Sequence, residues 1–225
     1  MLWLSGYTNA FNFMDGINGL AGFQALITAV GTGLLGGLTA GEWDAAPVLF
    51  AWVVAGAAAG FLPHNFPRAR MFMGDVGSAP LGFLLAVLVL WTAHRLGGWL
   101  LLPLLLLHTN FVLDTAITLA RRMARREVWF RPHREHFYQR LLRSGKSHAE
   151  VTLWEVGLQT GTLALLISYL YVGPLARGLI LVAVLGMWGV LLRVRAGVLC
   201  QSTAPPFGRV VQGAGVKRGL GCGQR

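Results

Sequence analysis

Three short stretches hold most of the side chains that could do chemistry. In Asn9-Ala-Phe-Asn12-Phe-Met-Asp15-Gly16-Ile-Asn18-Gly19-Leu20, polar residues recur every third position. Amides and a carboxylate at that spacing can hydrogen-bond a nucleobase or a sugar, and the glycines let a ligand approach the backbone. A helix end capped by Asn and Asp is the plainer reading of the same residues. In the second stretch, Pro63 to Ser78, Gly74 and Gly77 flank the single acid Asp75. Ser78 is placed to cap the following helix, whose positive end would then face Asp75, an arrangement suited to phosphate plus Mg²⁺. The plainer reading is a capped turn with a solvated acid and two interfacial arginines, Arg68 and Arg70.

The third stretch, Arg131 to Arg140, interleaves positive charge with His133, Arg134, His136, Tyr138 and Gln139. Such a mixture neutralises charge and offers directional donors to a diphosphate. Metal binding by His133 and His136 at i, i+3 is a further option. A basic loop that sets topology and touches lipid is the plainer reading, and the preceding Arg121-Arg122-Met-Ala-Arg125-Arg126 run is assigned to it. Asp114, an acid inside an apolar segment, divides evenly between structural pairing, toward Thr118 or the basic helix end, and a functional role.

The elements that carry these stretches follow from composition. Of 225 residues, 55% are hydrophobic and 12% charged, so an ordinary soluble or disordered chain is excluded. The apolar residues fall in blocks: Leu20 to Leu38, Pro47 to Leu62, Ala79 to Ala93, Gly98 to Leu119, Val151 to Val172 and Leu175 to Leu192. The fold class expected is all-α, a polytopic transmembrane helical bundle of about six complete spans after one partial N-terminal helix that looks cut.

Alternating the spans places 17 of the 19 Lys and Arg on the side that carries all three stretches, which the positive-inside rule makes cytoplasmic. The net charge of +10 therefore belongs to membrane loops, and nucleic acid is not expected as a partner. Cys200 and Cys222 lack metal-ligand spacing and give no disulfide framework. Residues 1–192 read as one membrane-embedded domain, and 193–225 as a disordered, Gly-rich tail.

In this order and on one face, the three stretches resemble the polyprenyl-phosphate N-acetylhexosamine-1-phosphate transferases, the MraY/WecA-like group of glycosyltransferase family 4. The first is similar to the family's Asn-x-x-Asn-x-x-Asp-Gly-x-Asp-Gly-Leu motif through Asn9, Asn12, Asp15, Gly16, Gly19 and Leu20, with Asn18 in place of the usual acid. Asn65 to Ser78 resembles Asn-x-x-Pro-x-x-x-Phe-x-Gly-Asp-x-Gly-Ser, apart from the position of Pro67 and the arginines after it. The third resembles the His-Arg-x-His-x-Tyr-Gln-Arg-Leu pattern of the O-antigen-initiating branch, centred on Arg134 and His136.

The resemblance implies transfer of a sugar 1-phosphate from a UDP-N-acetylhexosamine to undecaprenyl phosphate at the cytoplasmic face of a bacterial inner membrane, releasing UMP and initiating O-antigen or related lipopolysaccharide synthesis. It implies Mg²⁺, with Mn²⁺ as the alternative ion, on Asp75. Asp75, Asp15, His136 and Arg134 would be catalytic, while Asn12, Gly16, Asn65, Phe72, His133, Arg68 and Arg70 would bind substrate. Membrane lipids are implied partners, and a homodimer is compatible with the family. The resemblance further implies about four upstream helices with an adjacent-aspartate motif, and this sequence holds no adjacent acid pair, so the chain reads as N-terminally truncated. An inactive family member that only packs with other membrane subunits is the alternative. An anion transporter is disfavoured because the spans are almost free of charge.

Overall fold

A computed structural model describes residues 1–126 and 136–202, the last twelve of these by backbone alone. The described residues are helical and contain no strand. They form α1 (Leu2–Met14), α2 (Leu20–Ala40), α3 (Ala46–Asn65), α4 (Gly74–Leu96), α5 (Leu101–Leu106), α6 (Thr109–Ala124), α7 (Phe137–Arg143), α8 (His148–Ser168) and α9 (Pro174–Ser202). Short 3₁₀ turns at Gly98–Leu100 and Tyr169–Tyr171 precede α5 and follow α8.

Four helices are long and apolar enough to cross a bilayer: Leu20–Ala40, Ala46–Asn65, Gly74–Leu96 and His148–Tyr171. The expected straight span from Gly98 to Leu119 is instead a pair of helices, Gly98–Leu106 and Thr109–Ala124, bent by 67°. Counting that pair as one span gives five among the described residues, beside the shorter apolar helix Pro174–Val190, and the expected all-α polytopic bundle is what the chain forms. The break has its reason at the bend, where the Leu107 carbonyl accepts from Gln24 Nε2 at 3.1 Å and from Gln159 Nε2. Side-chain amides from two neighbouring helices thus satisfy a carbonyl that an apolar-block reading assigns to a continuous ladder. At the other end, α9 runs through Ser202, past the boundary at 192, and residues 203–225 lie outside the described ones.

Helix α2 is central. Buried residues make up 72% of its apolar window, against 39–44% for the other three spans. Its ends are set by Gly19 and Gly41, both left-handed. One apolar cluster gathers Tyr7, Phe11, Ala25, Ala55, Phe111 and Tyr138, binding α1, α2, α3, α6 and α7 together. A second, around Leu100, Leu104, Leu107, Leu166 and Trp188, joins α5 to α8 and α9. In lipid, such packing depends on close van der Waals contact rather than on water exclusion, so small residues matter where helices meet. Gly82 is one such residue: a Cβ there would stand 2.8 Å from Phe11 Cβ and 3.3 Å from Thr8 Cα.

Gly82→Val therefore has to push α1 off α4, and it should lower the thermal midpoint of the detergent-solubilised chain, as overpacking worth about 1–3 kcal/mol does. Gly56→Val, on a face with nothing within 4 Å, should leave the midpoint nearly unchanged.

Candidate functional site

The loop joining α1 to α2 and the loop joining α3 to α4 are stitched together by two asparagines. Asn65, buried at the end of α3, accepts the Gly19 N–H on Oδ1 at 2.6 Å and donates from Nδ2 to the Met71 carbonyl at 2.8 Å. Asn18 donates from Nδ2 to the Pro67 carbonyl at 3.1 Å. A carboxylate at position 18 could accept but not donate there, which gives the departure from the family's usual acid a physical reason. Within the second loop, the His64 carbonyl accepts from the Arg70 and Met71 N–H groups at 2.8 and 3.0 Å, folding residues 64–71 back on themselves. Gly19 has φ +81°, and Phe66 lies where its Cβ would be, so two constraints select glycine at this position.

Those stitches bring Asp15 and Asp75 together. Asp15 follows the last turn of α1, and Asp75 is exposed in the first turn of α4. The Asp15 carboxyl is pushed up to about 6 by partial burial first and by the Asp75 charge second, against a hydrogen bond from the Gly74 backbone. Two carboxylates that repel one another across a loop junction favour a cation between them. The described residues hold no cluster of three or more His, Cys, Asp or Glu, so the protein itself offers this site two carboxylates. That donor set fits Mg²⁺, which commonly takes one or two carboxylates and completes its shell with phosphate and water.

Several predicted ligand groups are committed to the scaffold instead. Ser78 is not a helix cap: α4 starts at Gly74, and Ser78 is buried inside the helix, donating to Asn12 Oδ1 at 2.5 Å. Asn12 thus ties α1 to α4. Asn65 uses both ends of its amide on backbone, so its role is to position the loops. Gly16 is a space for Tyr138 rather than for a ligand, since a Cβ there would sit 2.0 Å from the Tyr138 hydroxyl. Arg68 and Arg70 are exposed, and Phe72 is 76% exposed on the same loop. The rim therefore offers two guanidinium groups and an unstacked ring.

Of the third stretch, His136 to Arg140 are described, while His133 and Arg134 lie outside the described residues. His136 is 1% exposed and begins α7. Its Nδ1 lies 3.1 Å from Asp114 Oδ1, and the Phe137 N–H donates to both Asp114 oxygens at 3.1 Å. Thr118 Oγ1 adds a donation to Oδ1 at 3.2 Å. Asp114, 3% exposed, is thus the acceptor that receives the start of α7. The pairing with Thr118 is observed, but the larger role, orienting His136, was visible in sequence only as an acid in an apolar segment.

Tyr138 then reaches the first stretch, donating to the Phe13 carbonyl at 3.1 Å while Gln139 Nε2 donates to its hydroxyl at 3.0 Å. Burial and the Asp114 charge raise the Tyr138 hydroxyl well above its ordinary value, which keeps its proton on the oxygen. The Arg121–Arg126 run is more than a solvated basic patch: Arg122 is 7% exposed, and the Arg121 guanidinium sits 4.8 Å from the Phe137 ring centre. Helix α8 closes the rim. His148 Nδ1 accepts the Asn18 N–H at 3.5 Å, and Thr152 donates to the Asn18 carbonyl at 2.8 Å. Sequence spacing carries no signal for these two contacts.

Residues 1–93 match the family described as Glycosyl transferase family 4. Among curated proteins, the chain is 37% identical over 187 residues to the decaprenyl-phosphate N-acetylglucosaminephosphotransferase of Mycobacterium tuberculosis, covering 76% of this chain and 43% of that protein. It is 31% identical over 163 residues to the phospho-N-acetylmuramoyl-pentapeptide-transferase of Lactiplantibacillus plantarum, covering 70% and 47%. Against the enzyme of the same name from Streptococcus mutans it is 31% identical over 188 residues, covering 76% and 53%. The chain spans about half the length of the curated relatives it matches.

The raised Asp15 carboxyl has a consequence for stability. Its charged form is disfavoured in the folded chain, so folding loses stability as pH rises from the usual carboxylate value of 3.8 through about 6. Asp15→Asn removes that loss. In metal-free buffer it should raise the thermal midpoint above about pH 7 and have little effect below about pH 4. Equal effects at both pH values would show that Asp15 carries no such burden.

Proposed function

We propose that the chain, whose residues 1–93 match glycosyl transferase family 4, transfers an N-acetylhexosamine 1-phosphate from a UDP-sugar to a polyprenyl phosphate, releasing UMP. The observation that carries this reading is that the Asp75 charge reaches Asp15 from the loop that also carries the exposed Arg68, Arg70 and Phe72. A lipid phosphate and a nucleotide sugar can meet there without either crossing the bilayer. The relatives' names, which pair polyprenyl-phosphate with N-acetylglucosamine phosphate transfer, support the substrate classes.

In the reaction, an oxygen of the lipid phosphate attacks the phosphorus that bears the sugar. A new P–O bond forms, the bond from that phosphorus to the bridging oxygen breaks, and the bridging oxygen leaves with UMP. Asp15 and Asp75 would hold Mg²⁺, or Mn²⁺ in its place, which neutralises diphosphate charge. Arg68 and Arg70 attract the lipid phosphate from the headgroup side. Phe72 offers its ring to the uracil, and Asn12 and Asn65 keep the two carboxylate loops in register. His136, fixed by Asp114, and Tyr138, fixed on the Phe13 carbonyl, hold the start of α7 against α6 and the end of α1.

The product is a lipid-linked diphosphate sugar, the first intermediate of a cell-envelope polysaccharide such as O-antigen. The chain would work in the bacterial inner membrane with this rim toward the cytoplasm, the side on which the loop arginines gather. Undecaprenyl phosphate is the acceptor we assign.

Membranes containing the chain should release UMP from UDP-N-acetylglucosamine when undecaprenyl phosphate and Mg²⁺ are supplied, and chelation should stop the release. Asp75→Asn should lower the rate by about 10²-fold or more while the protein still inserts. Arg95→Ala, at the far end of α4, should stay near the parent rate. Near-normal turnover in Asp75→Asn would defeat the assignment. No UMP from well-inserted parent chain would favour a non-catalytic packing subunit.

A further inference from the structure

Several threonines of the bundle close on their own helices. Thr8, Thr28, Thr32, Thr39 and Thr162 each donate to the carbonyl four residues earlier, the local bond that a helical hydroxyl readily makes. Thr152 reaches out instead. It is buried in the second turn of α8, and its Oγ1 donates at 2.8 Å to the Asn18 carbonyl, in the loop between α1 and α2. His148, one turn earlier on the same face, brings Nδ1 to 3.5 Å from the Asn18 nitrogen, the outer limit of a hydrogen bond. One helix face thus meets both backbone polar groups of a single loop residue.

The line of contacts continues past Asn18. Its Nδ2 donates to the Pro67 carbonyl at 3.1 Å, so the loop after α1 and the loop after α3 are joined at the residue that α8 holds. Asp15 precedes Asn18 by three residues, and Asp75 follows Pro67 by eight. Helix α8 is itself firmly set at this end: Ser147 and Glu150 form a capping box at its start, and Val151 belongs to the apolar cluster that contains Tyr7 and Phe11. The backbone around Asp15 is therefore braced at Phe13 by Tyr138, at Gly19 by Asn65 and at Asn18 by Thr152.

We infer that Thr152 is a positioning residue for the divalent-cation seat, acting through Asn18 on the spacing of the two loops. The inference rests on the reading of Asp15 and Asp75 as that seat. In this role the hydroxyl touches neither ion nor substrate. It holds the Asn18 backbone in the arrangement that also lets the Asn18 side chain reach Pro67. Without it the loop samples further arrangements, and the apparent affinity for the ion falls in proportion to the fraction of chains that stays competent.

The test is the Mn²⁺ affinity of the purified chain in detergent, read by electron paramagnetic resonance, beside amide hydrogen exchange of residues 15–20 in metal-free buffer. Thr152→Val removes the donor at nearly constant size. It should weaken Mn²⁺ binding by about three- to tenfold, the order that loss of one hydrogen bond allows, and quicken exchange in residues 15–20. Thr152→Ser keeps the hydroxyl and should stay within about twofold of the parent. Thr162→Val removes a buried hydroxyl that bonds Trp188 on the same helix away from the rim, and it should lower the thermal midpoint while leaving Mn²⁺ affinity unchanged. Should Thr152→Val fail to fold, Thr152→Ala carries the same expectations. Parent-like affinity and exchange in the hydroxyl-free variant would overturn the inference while leaving the seat in place. So would a loss that Thr152→Ser shares. A parent chain that binds no Mn²⁺ would defeat the seat, and this role with it.

Discussion

A single buried amide sets the geometry of the polar rim. Asn65 spends its oxygen on the N–H of Gly19 and its nitrogen on the carbonyl of Met71, groups that belong to two different loops. The bond to Gly19 is buried, so leaving it unmade would cost about 1–3 kcal/mol. The loops therefore hold one arrangement. In that arrangement the charge of the acid at the start of α4 reaches the acid after α1, adding to the burial that raises the Asp15 carboxyl.

The same economy governs the rest of the bundle. Several polar side chains inside the helical spans clasp backbone groups that the helices leave open. Gln24 and Gln159 take the carbonyl at the bend of the broken span, Asp114 takes the first N–H of α7, and Tyr138 takes the carbonyl of Phe13. Each clasp joins elements far apart in the chain. Together they tie α7 to α1 and α6. The close approaches at Gly16, Gly19 and Gly82 are what permit these clasps, because a methyl group at any of the three would collide with its neighbour.

Much of this was legible in the sequence, and the limits have physical causes. Apolar block length located every long helix, because bilayer thickness fixes how many residues a span needs. Grouping of polar residues located the rim. What the pattern could not reveal was which asparagines face a ligand and which face the backbone, since Asn has the same donors and acceptors in both roles. Asn12 and Asn65 looked like ligand groups and prove to be ties, whereas Asp15 and Asp75 were paired by loop geometry that no spacing encodes. The bend at Leu107 escaped notice because its partners lie 83 and 52 residues away. Arg122 read as part of a topogenic, lipid-touching run, and the fold buries it beside a neighbour stacked on Phe137.

The proposed transferase reading rests on one claim: that the two loops form a common seat for a divalent cation. Electron paramagnetic resonance of Mn²⁺ titrated into the purified chain measures that seat without requiring substrate or turnover. The account predicts one bound ion per chain, lost in Asp15→Asn and lost again in Asp75→Asn. Unchanged Mn²⁺ binding in both variants would contradict it.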